Sequence, residues 1–247
     1  MIASYSSASR LLSELEKLRK LFRGSEQQTH VVLMAAYSMG AGYGQWARSI
    51  GAFSALVSAV IRDMEYVSDE KRRKTLAEVI EPVAELVHPA HFATVAHKHF
   101  ERCASQRAFD YLDMLDEVLR REGATVNVEV EKASYVSEEL RRIVDDIAQG
   151  PTSEIDDFLL EELTKLRVVL DNFALFGSDG VQDVIARMIG TIAVKSPNLN
   201  LSERTKLNIK STLSVAKVVA DIFIYGASIG QGITWAQENI VGLLPEQ

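Results

Sequence analysis

Apolar residues recur every three or four positions along most of the chain. The clearest stripe covers residues 11–22, where serines precede the first leucine and Gly24 follows the last apolar residue. Similar stripes cover residues 76–86, 100–119 and 159–170. This period is typical of amphipathic helices that bury one face, with Ser at the start and Gly at the end. The pattern therefore predicts an all-α protein.

Two runs depart from this pattern because they are nearly uncharged and contain several glycines. They cover residues 31–61, where Arg48 is the only charged residue, and residues 218–237. A helix that is apolar all round is normally buried. We therefore predict a multi-helix bundle in which these two apolar, glycine-containing helices form the central pair.

Residues 125–130 show the only clear alternation of apolar and polar positions. Val126, Val128 and Val130 alternate with polar residues, as in a half-buried strand. We expect at most one short strand there. Gly150 and Pro151 mark the best boundary, which predicts two helical regions, 1–149 and 150–247, or one continuous domain.

Composition and charge narrow the functional classes. The chain has 47% apolar and 25% charged residues, which is the balance of a folded globular protein. Its net charge of −7 opposes a nucleic-acid binder that depends on phosphate contacts. The single cysteine excludes an internal disulfide, and the first residues lack the pattern of a secretion signal. These features predict a cytoplasmic protein.

The glycine cluster Gly40, Gly42 and Gly44 invites two interpretations. After an apolar stretch at residues 31–34, with Asp63 about 20 residues beyond, it has the order of a dinucleotide-binding strand, loop and ribose-binding acid. Against this, Gln45 stands where the third glycine belongs. The alternative is a narrow helix face for close packing, which the sequence favours.

A group of histidines and the only cysteine lie within sixteen residues. His99 and Cys103 are four residues apart and share a helix face, and His88 with His91 would join them across the Pro89 turn as metal ligands. The spacing matches no standard zinc motif. The sequence therefore favours solvated or capping histidines, and we expect no metal or other cofactor.

Two further features predict contacts with a partner or a membrane. One is the basic run Lys71, Arg72, Arg73 and Lys74, which suits an acidic partner or an anionic lipid surface. The other is the pair of tryptophans, Trp46 and Trp235, which suit a partner interface, a core or a membrane interface.

These observations leave three hypotheses for function. The sequence favours a non-catalytic helical protein-interaction protein, regulatory or immunity-like, that binds a protein partner or forms a homo-oligomer. The first alternative is a membrane-inserting effector of the pore-forming type that uses residues 31–61 and 218–237. The second is an enzyme that depends on a metal at the histidines or a nucleotide at the glycine cluster.

Overall fold

The computed structural model describes residues 2–37, 43–150, 153–195 and 201–223. These residues form ten α-helices, three short 3₁₀ helices and two β-strands, which confirms the all-α prediction. The α-helices are α1 (Ser7–Phe22), α2 (Thr29–Tyr37), α3 (Tyr43–Asp63), α4 (Glu70–Ile80), α5 (Ala96–Cys103), α6 (Gln106–Arg121), α7 (Val130–Ala148), α8 (Glu154–Asp171), α9 (Phe173–Lys195) and α10 (Glu203–Phe223). The 3₁₀ helices are Met64–Tyr66, Glu81–Val87 and Pro89–His91.

The predicted strand near residues 125–130 is present as β2 (Val126–Glu129). It pairs with a second strand, β1 (Ile2–Tyr5), in a two-stranded sheet. The short strand expected near residues 125–130 is confirmed, and its partner β1 is a second strand that the sequence did not predict. Four residues at the start of the chain are too few to show a period, and β1 is recognised only by its pairing.

The chain divides into two compact units. The N-terminal unit comprises Ser4–Thr125 together with Ala174–Phe176. The C-terminal unit contains the described residues 2–3, 126–150, 153–173, 177–195 and 201–223. Helices α7 and α8, on either side of Gly150, belong to this same unit. The prediction that regions 1–149 and 150–247 are separate domains concerns independent folding and stays a prediction.

Helix α1 lies at the centre of the N-terminal unit, where it packs against α2, α3, α5 and α6. Its buried face includes Leu11, Leu15, Leu18 and Phe22, all fully enclosed, and the carboxylate of Glu14, which accepts from the Tyr37 hydroxyl at 3.2 Å. The hydroxyl and main chain of Ser6 form a capping box with Ser9 at the start of the helix. The spacing of apolar residues in the sequence therefore matches the spacing of buried side chains along α1.

The segment Ala174–Phe176 completes this core from a distant part of the chain. Leu175 is buried in the same apolar cluster as the α1 leucines. Arg10 donates hydrogen bonds to the carbonyl oxygens of Ala174 and Leu175, at 2.9 and 3.1 Å. Gly177 follows with φ of 61°, a left-handed conformation that interrupts α9 and that glycine adopts without strain.

The first uncharged run is not wholly interior. It forms α2 and α3, and Phe53, Leu56, Val57 and Val60 bury one face of α3. The opposite face is exposed and carries Ala47, Arg48, Gly51, Ser54, Ala55, Ser58 and Arg62. The expectation of a fully buried helix was wrong for this face. Small residues without charge tolerate solvent, and both serine hydroxyls donate to carbonyl oxygens of their own helix.

The second uncharged run lies only partly in the described residues. Residues 218–223 end α10 in the C-terminal unit, whereas residues 224–237 lie outside the described part, as do residues 38–42 of the first run. Among the helices that are described, none combines the length and apolarity needed to cross a membrane. The described part of the second run belongs to the C-terminal unit, whereas the described part of the first run belongs to the N-terminal unit.

The C-terminal unit is organised around α7, α8 and α10, which pack against one another. Asp156 is buried in the first turn of α8 and accepts four hydrogen bonds: from the amide and hydroxyl of Ser153 at 3.0 and 2.7 Å, from Thr205 at 2.9 Å and from Asn208 at 2.8 Å. Burial alone would raise the pKa of Asp156, but these hydrogen bonds outweigh it and lower the pKa.

Gly150 has a packing role beside this cluster. The guanidinium of Arg204 occupies the space where a Cβ at position 150 would lie, and it donates to the carbonyl oxygen of Asp146 at 2.7 Å. The interaction satisfies a carbonyl at the end of α7. The glycine that the sequence marked as a boundary therefore permits a close contact between α7 and α10.

We predict that Asp156→Ala lowers the free energy of unfolding by about 3 kcal/mol, because it leaves the buried hydroxyl of Thr205 without its acceptor and removes the hydrogen bonds to Asn208 and to the N-cap Ser153. Asp157→Ala is the matched control, since Asp157 lies in the same helical turn but is exposed. Urea unfolding at pH 7 measures both variants. Equal, small losses would contradict the role assigned to Asp156.

The same carboxylate predicts an acid dependence. Because the folded-state pKa of Asp156 is lowered, its contribution is complete above the unfolded value near 3.8 and is lost as the pH falls through the folded value. The stability difference between wild type and Asp156→Asn should therefore shrink below about pH 4. Urea midpoints between pH 2.5 and 7 test this, and a constant difference would refute it.

A truncation tests the domain prediction. A fragment ending at residue 149 retains α7 but lacks α8 and α10, which cover the buried side chains Val136, Leu140, Ile143 and Ile147. We expect this fragment to show no more helical circular dichroism than a fragment ending at residue 125. A gain equivalent to the 19 residues of α7 would instead support a boundary at Gly150.

Candidate functional site

A pocket of about 520 Å³ opens in the N-terminal unit, where the end of α1 meets α5 and the start of α6. We call it the cationic pocket. The side chains that define its character are Arg19, Lys20, Phe22, Arg23, His97 and Phe100. It combines a wall of positive charge with an aromatic floor, and its volume lies in the range of small-ligand sites.

The three cations come from the last turn of α1. Residues 19 and 23, and 20 and 23, are spaced so that they share one side of the helix. Their position at the C-terminus of α1 is favoured by the helix dipole, which explains part of their presence. Gly24 then turns the chain with φ of 66°, so that Arg23 ends the helix.

Ring packing and hydrogen bonds fix the position of several side chains that line the pocket. The rings of Phe22 and Phe100 are buried with their centroids 5.4 Å apart. Arg19 donates to the side-chain oxygen of Gln106 at 3.1 Å and lies 4.8 Å above the ring of Phe109. His97 Nδ1 donates to the carbonyl oxygen of Ser25 at 2.9 Å. The pocket is therefore largely preformed.

Positive charge dominates the pocket. Glu101 is the acidic residue in its lining, against Arg19, Lys20 and Arg23. Within the described ranges, neither Lys20 nor Arg23 forms an ion pair. Two cations without carboxylate partners, beside a third held by an amide and a ring, attract an anion. This local field contrasts with the net charge of −7 of the whole chain.

The predicted histidine and cysteine group is divided by the structure. His88 and His91 approach each other and Glu85, with one donor atom of each residue within 4.8 Å of the others. His91 Nε2 lies 2.9 Å from Glu85 Oε2. We call these three residues the histidine corner. The sequence did not single out Glu85, because its contact with His91 depends on how the chain folds on either side of His88.

The local backbone explains why Glu85 belongs to this group. Glu85 lies in the first of two 3₁₀ helices, His88 between them has an extended backbone with ψ of 126°, and His91 ends the second, so the helical path is broken at His88. Pro82 and Pro89 stand at the starts of the two 3₁₀ helices that carry the corner. The two prolines, which interrupt the α-helical pattern on either side of Glu85, are the signal by which the sequence could have indicated this break.

His99 and Cys103 are structural instead. His99 is buried; its Nε2 donates to the carbonyl oxygen of Glu85 at 2.9 Å, and its Nδ1 accepts from Arg102 at 3.0 Å. Burial lowers the pKa of His99 and raises the pKa of the Cys103 thiol. Cys103 is therefore a protonated core residue, 3.6 Å from His99 Nδ1.

The dinucleotide interpretation loses its structural basis. The strand expected at residues 31–34 is part of helix α2. Gly40 and Gly42 lie outside the described residues, and Gly44 belongs to α3. Asp63 ends α3, where its carboxylate lies 3.6 Å from Arg62. A helix in place of the strand removes the arrangement in which such a loop faces a pyrophosphate.

The predicted partner contacts occupy the surface and the core margin. The basic run lies in the first turns of α4, where Lys71, Arg72 and Lys74 are exposed and Arg72 pairs with Asp69 at 3.6 Å. Arg73 in the same run is half-buried. Trp46 is half-buried, with its ring 5.6 Å from that of Phe92. Trp235 lies outside the described residues.

The burial of the single cysteine gives a direct test. The Cys103 side chain is 3% exposed and its thiol is held protonated, so alkylation requires local opening. We expect iodoacetamide to modify the native protein at least about tenfold more slowly than the urea-unfolded chain at pH 8. Mass spectrometry measures both rates, and equal rates would show that the thiol is open to reagents.

Comparison with known proteins adds no assignment to this geometry. No family model matches the chain, and neither a curated protein nor a solved structure matches it. A functional proposal therefore depends on what the described side chains can do chemically.

Proposed function

We propose that the protein is a non-catalytic binding protein that holds an acidic segment of a partner protein in the cationic pocket. One observation carries this proposal: Arg19, Lys20 and Arg23 converge around two buried phenylalanine rings in a cavity of about 520 Å³. The role is the protein interaction that the sequence predicted. The contact surface is now the cationic pocket instead of the basic run of α4.

The chemistry of the pocket suits a carboxylate-bearing chain. A guanidinium such as that of Arg23 binds a carboxylate through two parallel hydrogen bonds, and Lys20 adds a mobile point charge. The buried rings of Phe22 and Phe100 lie behind these charges and make the base of the pocket apolar, with Phe100 5% exposed. A partner segment in which acidic residues flank one apolar side chain would satisfy both surfaces, and a buried anchor of this kind contributes most of the energy of many interfaces.

Two side chains of the pocket, His97 and Arg19, are already engaged by neighbouring groups, which favours a binding role over a catalytic role. His97 Nδ1 is engaged by the carbonyl oxygen of Ser25, and Arg19 is engaged by Gln106 and Phe109. Such preorganised side chains lower the entropic cost of association. The remaining lining groups that we invoke are cations and hydrocarbon rings, which attract and enclose a ligand.

The setting of this interaction is also a proposal. The chain has one cysteine, which is buried and free, so it forms no internal disulfide. This suits the reducing cytoplasm. A regulatory or immunity-like protein, which acts by occupying a partner, fits a binding role without chemistry. A second copy of the chain, which is acidic overall, is the other protein that could supply the carboxylates.

Charge reversal at the pocket provides the decisive experiment. The double variant Lys20→Glu with Arg23→Glu should lose its partner, because two attractive charges become repulsive. Lys71→Glu with Lys74→Glu is the matched control, since it reverses the same number of exposed charges on α4. Each form is purified from the native host with cross-linking, and mass spectrometry identifies partner peptides joined to the protein.

The outcomes separate the hypotheses. The pocket is supported if wild type and the α4 variant retain the same partner, the pocket variant loses it, and an acidic peptide of that partner is linked near α1. Calorimetry with this peptide should show affinity falling as salt rises. Retention by both variants, loss only by the α4 variant, or no partner for wild type would overturn the proposal. Links only between two copies of the chain would assign the pocket to self-association.

A further inference from the structure

The histidine corner is independent of the cationic pocket. Glu85 and His91 are joined by a 2.9 Å contact between Oε2 and Nε2, and the rings of His88 and His91 have centroids 5.9 Å apart. All three residues are at least partly exposed; the side chains of Glu85 and His91 are 48% and 30% accessible. Three donors from three side chains thus converge at a site that solvent reaches.

We propose that Glu85, His88 and His91 bind one divalent transition-metal ion, of the class represented by Zn²⁺. Two imidazoles and one carboxylate are a donor set that suits zinc, cobalt, nickel and copper better than calcium or magnesium, which prefer oxygen ligands. Three protein ligands leave a position open for water or an external ligand. The separation of at most 4.8 Å between donor atoms is compatible with a shared ion after small side-chain rotations.

The surrounding structure holds the corner in place. His99 donates to the carbonyl oxygen of Glu85 at 2.9 Å, and its ring lies 5.1 Å from that of His91. His99 is itself buried and bound by Arg102. It is therefore a positioning residue, which fixes the backbone of one ligand and forms a wall beside another, as groups behind metal ligands commonly do.

Metal binding would exchange weak interactions for coordinate bonds. The ion would replace the proton between His91 Nε2 and Glu85 Oε2. His88 Nδ1 now accepts from the amide of Ala90 at 3.3 Å, a long hydrogen bond. Coordination through either nitrogen of His88 gives up this bond, because the other nitrogen then carries the proton. The loss is small beside a metal–imidazole bond.

Zinc titration of the full chain tests the site. Tag-free protein competes for Zn²⁺ with a chromophoric chelator, which yields stoichiometry and Kd. We expect one Zn²⁺ per chain with Kd below about 100 μM. Glu85→Gln and His91→Gln should each weaken binding by more than the roughly tenfold that loss of a group behind the ligands costs. Zn²⁺ should also raise the melting temperature of wild type.

Two matched variants control for nonspecific binding. Glu81→Gln neutralises an exposed carboxylate of the same 3₁₀ helix, and His97→Gln removes a histidine that faces the pocket. Both should keep Kd within twofold of wild type, and circular dichroism checks that every variant is folded. Failure of wild type to bind one Zn²⁺ in this range, or equal weakening by the controls, would overturn the metal site while leaving the proposed pocket function unaffected.

Discussion

Burial of one face of α1 is the constraint on which the N-terminal unit and its pocket depend. Leu11, Leu15, Leu18 and Phe22 are fully enclosed by the neighbouring helices, and burial of such side chains contributes about 1.5–3 kcal/mol each. Once this face is inside, the helical period places Arg19, Lys20 and Arg23 outside. Phe22 belongs to both the core and the pocket floor. The charged wall is thus a geometric consequence of the core.

Helix α5 distributes two histidines to two different surroundings. His97 and His99 are two residues apart, so they point about 200° apart around the helix. His97 faces the cationic pocket and donates to Ser25, whereas His99 faces the interior and supports Glu85. One short helix therefore supplies both proposed sites without a shared side chain. This separation is why a variant at His97 can serve as a control for the metal site.

The C-terminal unit adds buried carboxylates to its apolar core. Asp156 joins the first turn of α8 to α10 through Thr205 and Asn208. Glu162, also buried on α8, contacts Lys165 at 2.6 Å and Arg187 at 3.6 Å. Each charge is offset by hydrogen bonds or cations, as buried charges must be. Such directional contacts specify one register between packed helices.

By itself, the sequence determined the helical class, the buried stripe of α1 and the turn at Gly24, and it indicated serine caps and a short strand near residues 125–130. These features depend on residues close together in the chain, where period and capping chemistry are visible. Only the tertiary structure decided that Leu175 completes the N-terminal core, that α3 exposes a face of mostly small residues, and that Arg19 meets Gln106 in a pocket. Glu85 shows the limit best, since its contact with His91 depends on the break at His88 between two 3₁₀ helices, which spacing along the chain does not reveal. A local pattern records which face of a helix is buried, but the partner of that face depends on chain segments far apart in sequence.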